Sequence, residues 1–531
     1  MQHPAHPHPF VYLKRLAQGS LLGLASCCLP LGQAQSAAEL NTTPNATPNA
    51  SPNATSTLPN LGDSSDLTPA AERQLGDRIA KEMYRDPDYI DDPVLTDYVQ
   101  GIWQALLAAA RQRGELTAQL DQAFAWDILM GRDRSVNAFA LPGGYFGLHL
   151  GLLAIVSSKD ELASVLAHEL SHVTQRHIAR SLSRQTAQAP WVMGALILGL
   201  LAASKNPGAA QATIVGTQAA AMQNQLNYSR DMEREADRIG FAVETQAGFA
   251  PQGFVSMFEK LQHANRLNDT SGFPYLRSHP VNTERIADMQ SRIQQSNPAL
   301  RPKGSEVEPL MMAARARVLS NPGVDALRQW EQEASPSHLA RLPEAAQVGA
   351  LYGAAFAALK QRNFTQLKPL LGKLNQYTRN DAEAARLVRL LAIDTALVQG
   401  DAISATELAK GLQDKRRASL LARAQTDSLA GRQEAAAQSL QSWLAEHPRD
   451  AGVWQQLAAI HTAMGRSVAA VRDEAEAHVA QLDYAGALAR FRAAQDLGRN
   501  SPAAIDRIEA SIIDTRTRQM EALLREQAFE R

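Results

Sequence analysis

The chain has almost no cysteine. Cys27 and Cys28 are the only two in 531 residues, and both lie in a segment that reads as a secretory signal. Removal of that segment after Ala34 would leave no thiol, so no disulfide framework is on offer, and the mature chain suits an oxidising compartment. An excess of either charge is also missing. Against 54 acidic residues stand 53 basic ones, a formal net charge of -1, which gives no field for nucleic acid or another polyanion. No run is long enough to cross a bilayer: Trp191 to Ala203 is thirteen residues without a charge, where a crossing helix needs roughly twenty. No glycine-rich phosphate loop is present.

What is there divides along the chain. Residues 1 to 34 carry Lys14 and Arg15 ahead of a mostly apolar stretch from Leu16 to Leu31, then Gly32-Gln33-Ala34 as a small-x-small cleavage site, the order of an export signal. Leu24-Ala25-Ser26-Cys27 also fits a lipoprotein box, with Cys27 as the lipidated residue. Residues 35 to 66 are rich in Asn, Thr, Pro, Ser and Ala, the composition of a disordered linker. Leu67 to Ala110 reads as two amphipathic helices around Asp86-Pro87 and Asp92-Pro93. Phe124 to Leu129 and Val136 to Leu141 read as strands, the second closed by Pro142-Gly143-Gly144, with Tyr145 to Leu148 returning beside it.

The chemistry concentrates in His168-Glu169-Leu170-Ser171-His172. It sits in a Pro- and Gly-free stretch, Lys159 to Ser183, whose apolar residues recur at three- and four-residue steps, so the whole stretch is expected to be helix. Positions four apart lie about 40° apart on one face, so His168 and His172 can aim both imidazoles at one point. Zinc is the usual occupant of such a pair. Zinc lowers the pKa of a coordinated water to about 7, and Glu169, beside the first imidazole, can take its proton.

A zinc held by two His needs a third protein ligand, leaving the fourth position for water. His177 lies nine residues from His168, about half a turn round a continuing helix, and is expected to face away as a packing residue. A better candidate is Glu233, four residues before Asp237 on one helical face. Glu233 can ligate while Asp237 orients a ligand imidazole through its other nitrogen. Glu235 points about 200° away from Glu233 and is the weaker choice. Trp191 to Ala203 reads as a buried helix or a flap over the cleft.

The HExxH motif, followed some sixty residues later by Ser229-Arg230-x-x-Glu233-x-x-x-Asp237, resembles the M48 family of zinc metallopeptidases (gluzincins). Asn137-Ala138-Phe139-Ala140-Leu141-Pro142-Gly143-Gly144 and Ser278-His279-Pro280 with Arg285 look like that family too. The resemblance covers roughly residues 70 to 295. It implies one zinc per chain, and a substrate held extended along Asn137, Ala138, Phe139, Ala140 and Leu141. An imidazole at His279, in a polar loop, could stabilise an oxyanion or occupy the open position on zinc and hold the enzyme latent.

From Glu306 onward the pattern is nearly all helical. Gly431-Arg432 and Gly465-Arg466 are 34 residues apart, the tetratricopeptide period, though other turn spacings are irregular. Stacked helix pairs bind peptide or protein.

The expected architecture is mainly α. It has an export signal (1–34), a linker (35–66), a gluzincin-type α+β metalloprotease domain with a small sheet (67–300) and a TPR-like α-helical solenoid (306–531). The expected function is a periplasmic zinc endopeptidase. The resemblance implies unfolded or stalled outer-membrane β-barrel proteins as clients and their assembly machinery as a partner through the repeats; as a flap, Trp191 to Ala203 could also touch the outer membrane peripherally. The alternative is a chaperone-like scaffold whose metal site is structural or latent.

Overall fold

The computed structural model describes residues 67–183, 230–266, 273–295, 305–500 and 507–529. The expected signal, the linker, Cys27 and the Trp191 to Ala203 stretch lie outside the described residues.

Two helices open the described chain, each started by a proline and a side-chain cap. In α1 (Pro69–Arg85) the Thr68 hydroxyl accepts from Ala71 N; in α2 (Pro93–Arg113) the Asp92 carboxylate accepts from Leu95 N at 3.0 Å. Proline suits the first helical position because its missing N–H has no partner there anyway. Gly114 closes α2 in the left-handed region, as a C-terminal glycine does without steric penalty. After the short α3 (Ala118–Ala123) comes a three-stranded sheet in the order β1-β3-β2.

β1 (Asp127–Gly131) runs parallel to β3 (Tyr145–His149), and β2 (Ala138–Leu141) runs antiparallel to it. The strands begin later than the apolar runs suggested, at Asp127 and Ala138. Pro142-Gly143-Gly144 turns the chain between β2 and β3, with φ of 73° at Gly143 and 77° at Gly144. A Cβ there would sit 2.7 Å from Arg73 Cα and 2.7 Å from Phe124 Cβ respectively. Only glycine meets both the dihedral and the space.

Next come α4 (Leu150–Ile155), α5 (Lys159–Thr174) and α6 (His177–Ser183). They are followed by α7 (Arg230–Gln246), α8 (Gln252–Arg266), α9 (Tyr275–Ser278) and α10 (Thr283–Gln295). Helix α5 is the centre of this half. Every residue from Asp160 to Thr174 is buried, packed by α2, α7, α8 and β2. An apolar stripe alone would not bury the polar side; the metal-site residues themselves occupy it.

The rest of the described chain is helical, beginning with α11 (Glu308–Ser320). Each later helix packs mostly on its sequence neighbours, and Gly400, Gly431 and Gly465 end helices or turns with positive φ. Among the described residues the protein is therefore mainly α with one small sheet. One hydrophobic cluster runs from Trp103 and Leu166 through Met311 and Met312 to Leu391 and Ala422. Ion pairs cross the same boundary. Asp92, besides capping α2, receives both forks of Arg315 at 2.8 Å, and Arg417 reaches Asp91 at 2.7 and 2.5 Å and Asp450 at 2.8 Å. The helical half thus continues the core of the half that carries the HExxH motif.

Candidate metal centre

Helix α5 starts at Ser158, whose hydroxyl accepts from Glu161 N, and presents His168 and His172 one turn apart. Their Nε2 atoms lie 3.0 Å from each other. Helix α7 brings Glu233 to the same point: Glu233 Oε1 is 3.4 Å from His172 Nε2, and Oε2 is 3.5 Å from His168 Nε2. The two helices approach this closely because α7 has Gly240 at the crossing. A Cβ there would stand 3.1 Å from the Ala167 carbonyl and from His168 N, tighter than ordinary contact.

His279 adds a fourth donor. It follows α9 directly, its N–H donates to Tyr275 O at 2.8 Å, and its ring lies against the Tyr275 ring at 4.7 Å. The expected polar surface loop is here a short helix, and His279 is buried. Its Nδ1 is 3.3 Å from His168 Nε2 and 3.0 Å from Glu233 Oε1.

Do these residues fit zinc? Donors placed tetrahedrally at about 2.0–2.1 Å from an ion lie roughly 3.3 Å apart. The separations of 3.0, 3.3, 3.4 and 3.5 Å are close to that length, the last two measured to the two oxygens of Glu233. The donor chemistry agrees. His168 and His172 commit their other nitrogens elsewhere, Nδ1 of His168 to Asp237 Oδ1 at 2.9 Å and Nδ1 of His172 to His177 Nδ1 at 2.8 Å. Their Nε2 lone pairs converge on one buried point, where a cation is the natural neighbour. His168, His172, Glu233 and His279 are a buried set able to hold one metal ion.

Charge around the set is paired rather than exposed. Arg285 donates to both Asp237 oxygens at 2.7 Å, reaches Glu233 Oε2 at 2.9 Å and donates to Pro280 O at 2.9 Å. Burial alone would raise Glu233, but its electrostatic interaction with His279 and hydrogen bonds from His168 and His172 hold it well below the carboxylate range. Burial alone would lower His168, yet its bonds to Asp237 and Glu233 carry it up to about 9. His172 is pushed well down by burial.

Glu169 lies behind this set. One oxygen accepts from Ala140 N at 3.0 Å; the other faces His279 Nε2 at 3.4 Å. Burial raises its pKa. Because the Ala140 N–H points at Glu169, it points away from β3. The strand's two-residue period turns Ala138 the same way, so the outer edge of β2, unpaired with any strand among the described residues, faces the metal helix. Asn137 precedes the strand and receives the His149 N–H on its carbonyl; Phe139 and Leu141 flank Ala140 on the strand.

Two expectations need correction. The helix does not continue from Lys159 to Ser183. It stops at Thr174, and Arg176 takes φ 53°, a left-handed conformation that costs an ordinary residue about 1–2 kcal/mol. The Arg176 guanidinium is tied down by Glu72 at 3.0 Å and Leu67 O at 2.5 Å. Nothing in the local pattern signals this break, because its support comes from residues a hundred positions away. In consequence His177 does not face away. It turns back under His172, and its Nε2 meets Glu235 Oε2 at 3.0 Å. Glu235 does point away from the donors, as its helical angle requires, and it ends on His177 and on Arg180 at 2.8 Å. The His177 bond is the main force holding Glu235 down at about 2, with Arg180 adding to it. Sequence reasoning missed Tyr275 as well, the ring that backs His279.

Taken together, a helix bearing two converging imidazoles, a carboxylate from a second helix and a nearby buried carboxylate define a zinc metalloendopeptidase. A profile of Peptidase family M48 matches residues 99–293. The beta-barrel assembly-enhancing protease of Escherichia coli K12 is 30% identical over 442 residues, 81% of this chain and 85% of that protein. The protein of the same name in Yersinia pestis is 32% identical over 323 residues, 60% of this chain and 62% of its own length, so the match spans less than two thirds of that relative. The mitochondrial metalloendopeptidase OMA1 of Saccharomyces cerevisiae is 30% identical over 211 residues, 38% of this chain and 56% of that protein. The chain belongs to peptidase family M48.

Proposed function

We propose that His168, His172 and Glu233 hold the zinc, that Glu169 is the general base, and that Asp237 orients His168. The observation that carries this reading is the convergence of four buried donor side chains whose ligand atoms all lie within 4.8 Å of one another. Zinc, when bound, supplies Lewis acidity toward water and a peptide carbonyl. The chain supplies the rest. Asp237, clamped by Arg285, fixes the proton of His168 on Nδ1. Glu169, anchored through one oxygen to Ala140, turns the other toward the donors, 3.4 Å from His279 Nε2, where it accepts a proton from an attacking water once His279 withdraws, and burial gives it the basicity for that task. A substrate segment lies along the outer edge of β2, from Asn137 to Leu141, and is held through main-chain groups of that edge other than the Ala140 N–H, which Glu169 takes, without reading sequence.

His279 stands as a fourth protein donor and blocks the position that water needs. The resting enzyme is therefore latent, and cleavage requires His279 to withdraw with the Tyr275–Ser278 helix. The relatives' name, beta-barrel assembly-enhancing protease, supports β-barrel proteins as clients; our reading is that these are outer-membrane proteins, unfolded or stalled in assembly. The helical pairs after residue 306 recruit those clients or the assembly machinery, in the periplasm.

The same fourth donor favours the scaffold reading, since closed four-ligand sites are usually structural. Two variants separate the readings. The endopeptidase reading expects E169Q to keep one zinc per chain and to lose casein cleavage by at least about 10²-fold, and H279A to cleave faster than wild type. Equal, negligible cleavage by wild type, E169Q and H279A, each loaded with zinc, would leave only the scaffold.

A further inference from the structure

Both imidazoles of the HExxH pair have a support on the side away from the donors, and the two supports differ. His168 Nδ1 meets a carboxylate directly, Asp237 Oδ1 at 2.9 Å. His172 Nδ1 meets another imidazole, His177 Nδ1 at 2.8 Å, and only beyond it a carboxylate, Glu235 Oε2 at 3.0 Å from His177 Nε2. Arg180 holds that carboxylate from outside at 2.8 Å.

Proton counting fixes the chain. If the Nε2 lone pair of His172 faces the metal, its proton is on Nδ1 and donates to His177. His177 must then accept on Nδ1, so its own proton is on Nε2, where Glu235 accepts it. Each nitrogen has one role and each role is filled. The reverse set of tautomers would put a proton on His172 Nε2, at the point where the other donors converge. His177 and His172 are both buried, and the ring contact is edge-on at 4.9 Å between centroids, so water does not substitute for either partner.

We propose that His177 is a positioning residue for the metal ligand His172, relaying the carboxylate of Glu235 to it. The inference rests on the zinc reading given above. The left-handed Arg176 then has a use: it ends α5 so that His177 returns beneath His172 instead of continuing round the helix. The relay also ties α6 to α7, so that helix placement after the motif bears on metal affinity.

The test is zinc affinity of the full-length protein, measured by competition with a chromophoric chelator and independent of proteolysis. Loss of an outer support typically weakens metal binding 10–100-fold. H177A is expected to fall in that range. H177Q, whose amide can accept from His172 and donate to Glu235, should recover most of the loss. E235Q should weaken zinc less than H177A in an otherwise unchanged protein, and should have no further effect once His177 is alanine, because the two act in series. Zinc affinity of H177A within about twofold of wild type would overturn the proposal, as would independent, additive losses in the double variant. If H177A does not fold, the E235Q affinity decides alone, and a wild-type value for it overturns the proposal. If wild type itself takes up no zinc in the same titration, the zinc reading fails instead, and the two failures are told apart.

Discussion

Arg285 and Arg234 make the same kind of contact in different surroundings, and replacing each with alanine should separate burial from proximity. Arg285 is 5% exposed in its side chain. It serves Asp237 at 2.7 Å twice, Glu233 at 2.9 Å and Pro280 O at 2.9 Å. Its removal leaves a buried carbonyl without its donor and two buried carboxylates with only the His168 imidazole to share between them. Breaking a buried pair from one side costs about 3–5 kcal/mol, mostly as the uncompensated charge left behind. Arg234 holds Glu284 at 3.0 Å, but the two side chains are 52% and 66% exposed. Solvent screening limits such a pair to under about 1 kcal/mol. Urea unfolding of the metal-free proteins should therefore find R285A destabilised by about 3–5 kcal/mol and R234A by less than about 1 kcal/mol. R285K should fall between wild type and R285A, since one ammonium cannot fork across both Asp237 oxygens. Zinc should recover part of the R285A loss, because the ion supplies the positive charge that Glu233 then lacks. A metal-free R285A within about 1 kcal/mol of wild type would refute the claim that these carboxylates depend on it.

The pH response of metal uptake follows from His168, whose pKa in the metal-free fold is carried up to about 9. Its protonated form adds stability that is present in full below about 6.5 and is lost as pH rises through about 9. At about pH 7.5 zinc must displace that proton, so calorimetry in buffers of different ionisation heat should find close to one proton released per zinc; no release would contradict a protonated His168 in the metal-free fold. Ala140→Pro removes the N–H that anchors Glu169, at a position whose N–H points off the sheet, so circular dichroism should be unchanged while cleavage of unfolded casein falls at least about tenfold; loss of the fold would mean β2 pairs through that N–H. A fragment ending at residue 304 strips Met311, Met312 and their neighbours from a shared core. It should aggregate or unfold well below the full chain's temperature in a thermal melt, and a fragment as stable as the full chain would show the halves to be independent.

Local pattern carried much of this protein. Helix α5, the spacing of His168 and His172, the four-residue step from Glu233 to Asp237, and the glycine turn between β2 and β3 all follow from periods of 3.6 and 2 and from which residues tolerate positive φ. A resemblance spread over four ordered motifs pointed to the family. What local pattern cannot hold is the meeting of distant segments. Arg176 breaks the helix because Glu72 and Leu67 grip it from α1 and the segment before it. His177 reaches His172 only through that break. His279 reaches the donors because α9 packs its Tyr275 ring in the core, and β1 lies parallel to β3 through a pairing that no single window displays. Periodicity is a property of neighbours in sequence; donor distances, buried charges and a continuous core joining two halves are properties of neighbours in space, and only the folded chain decides those.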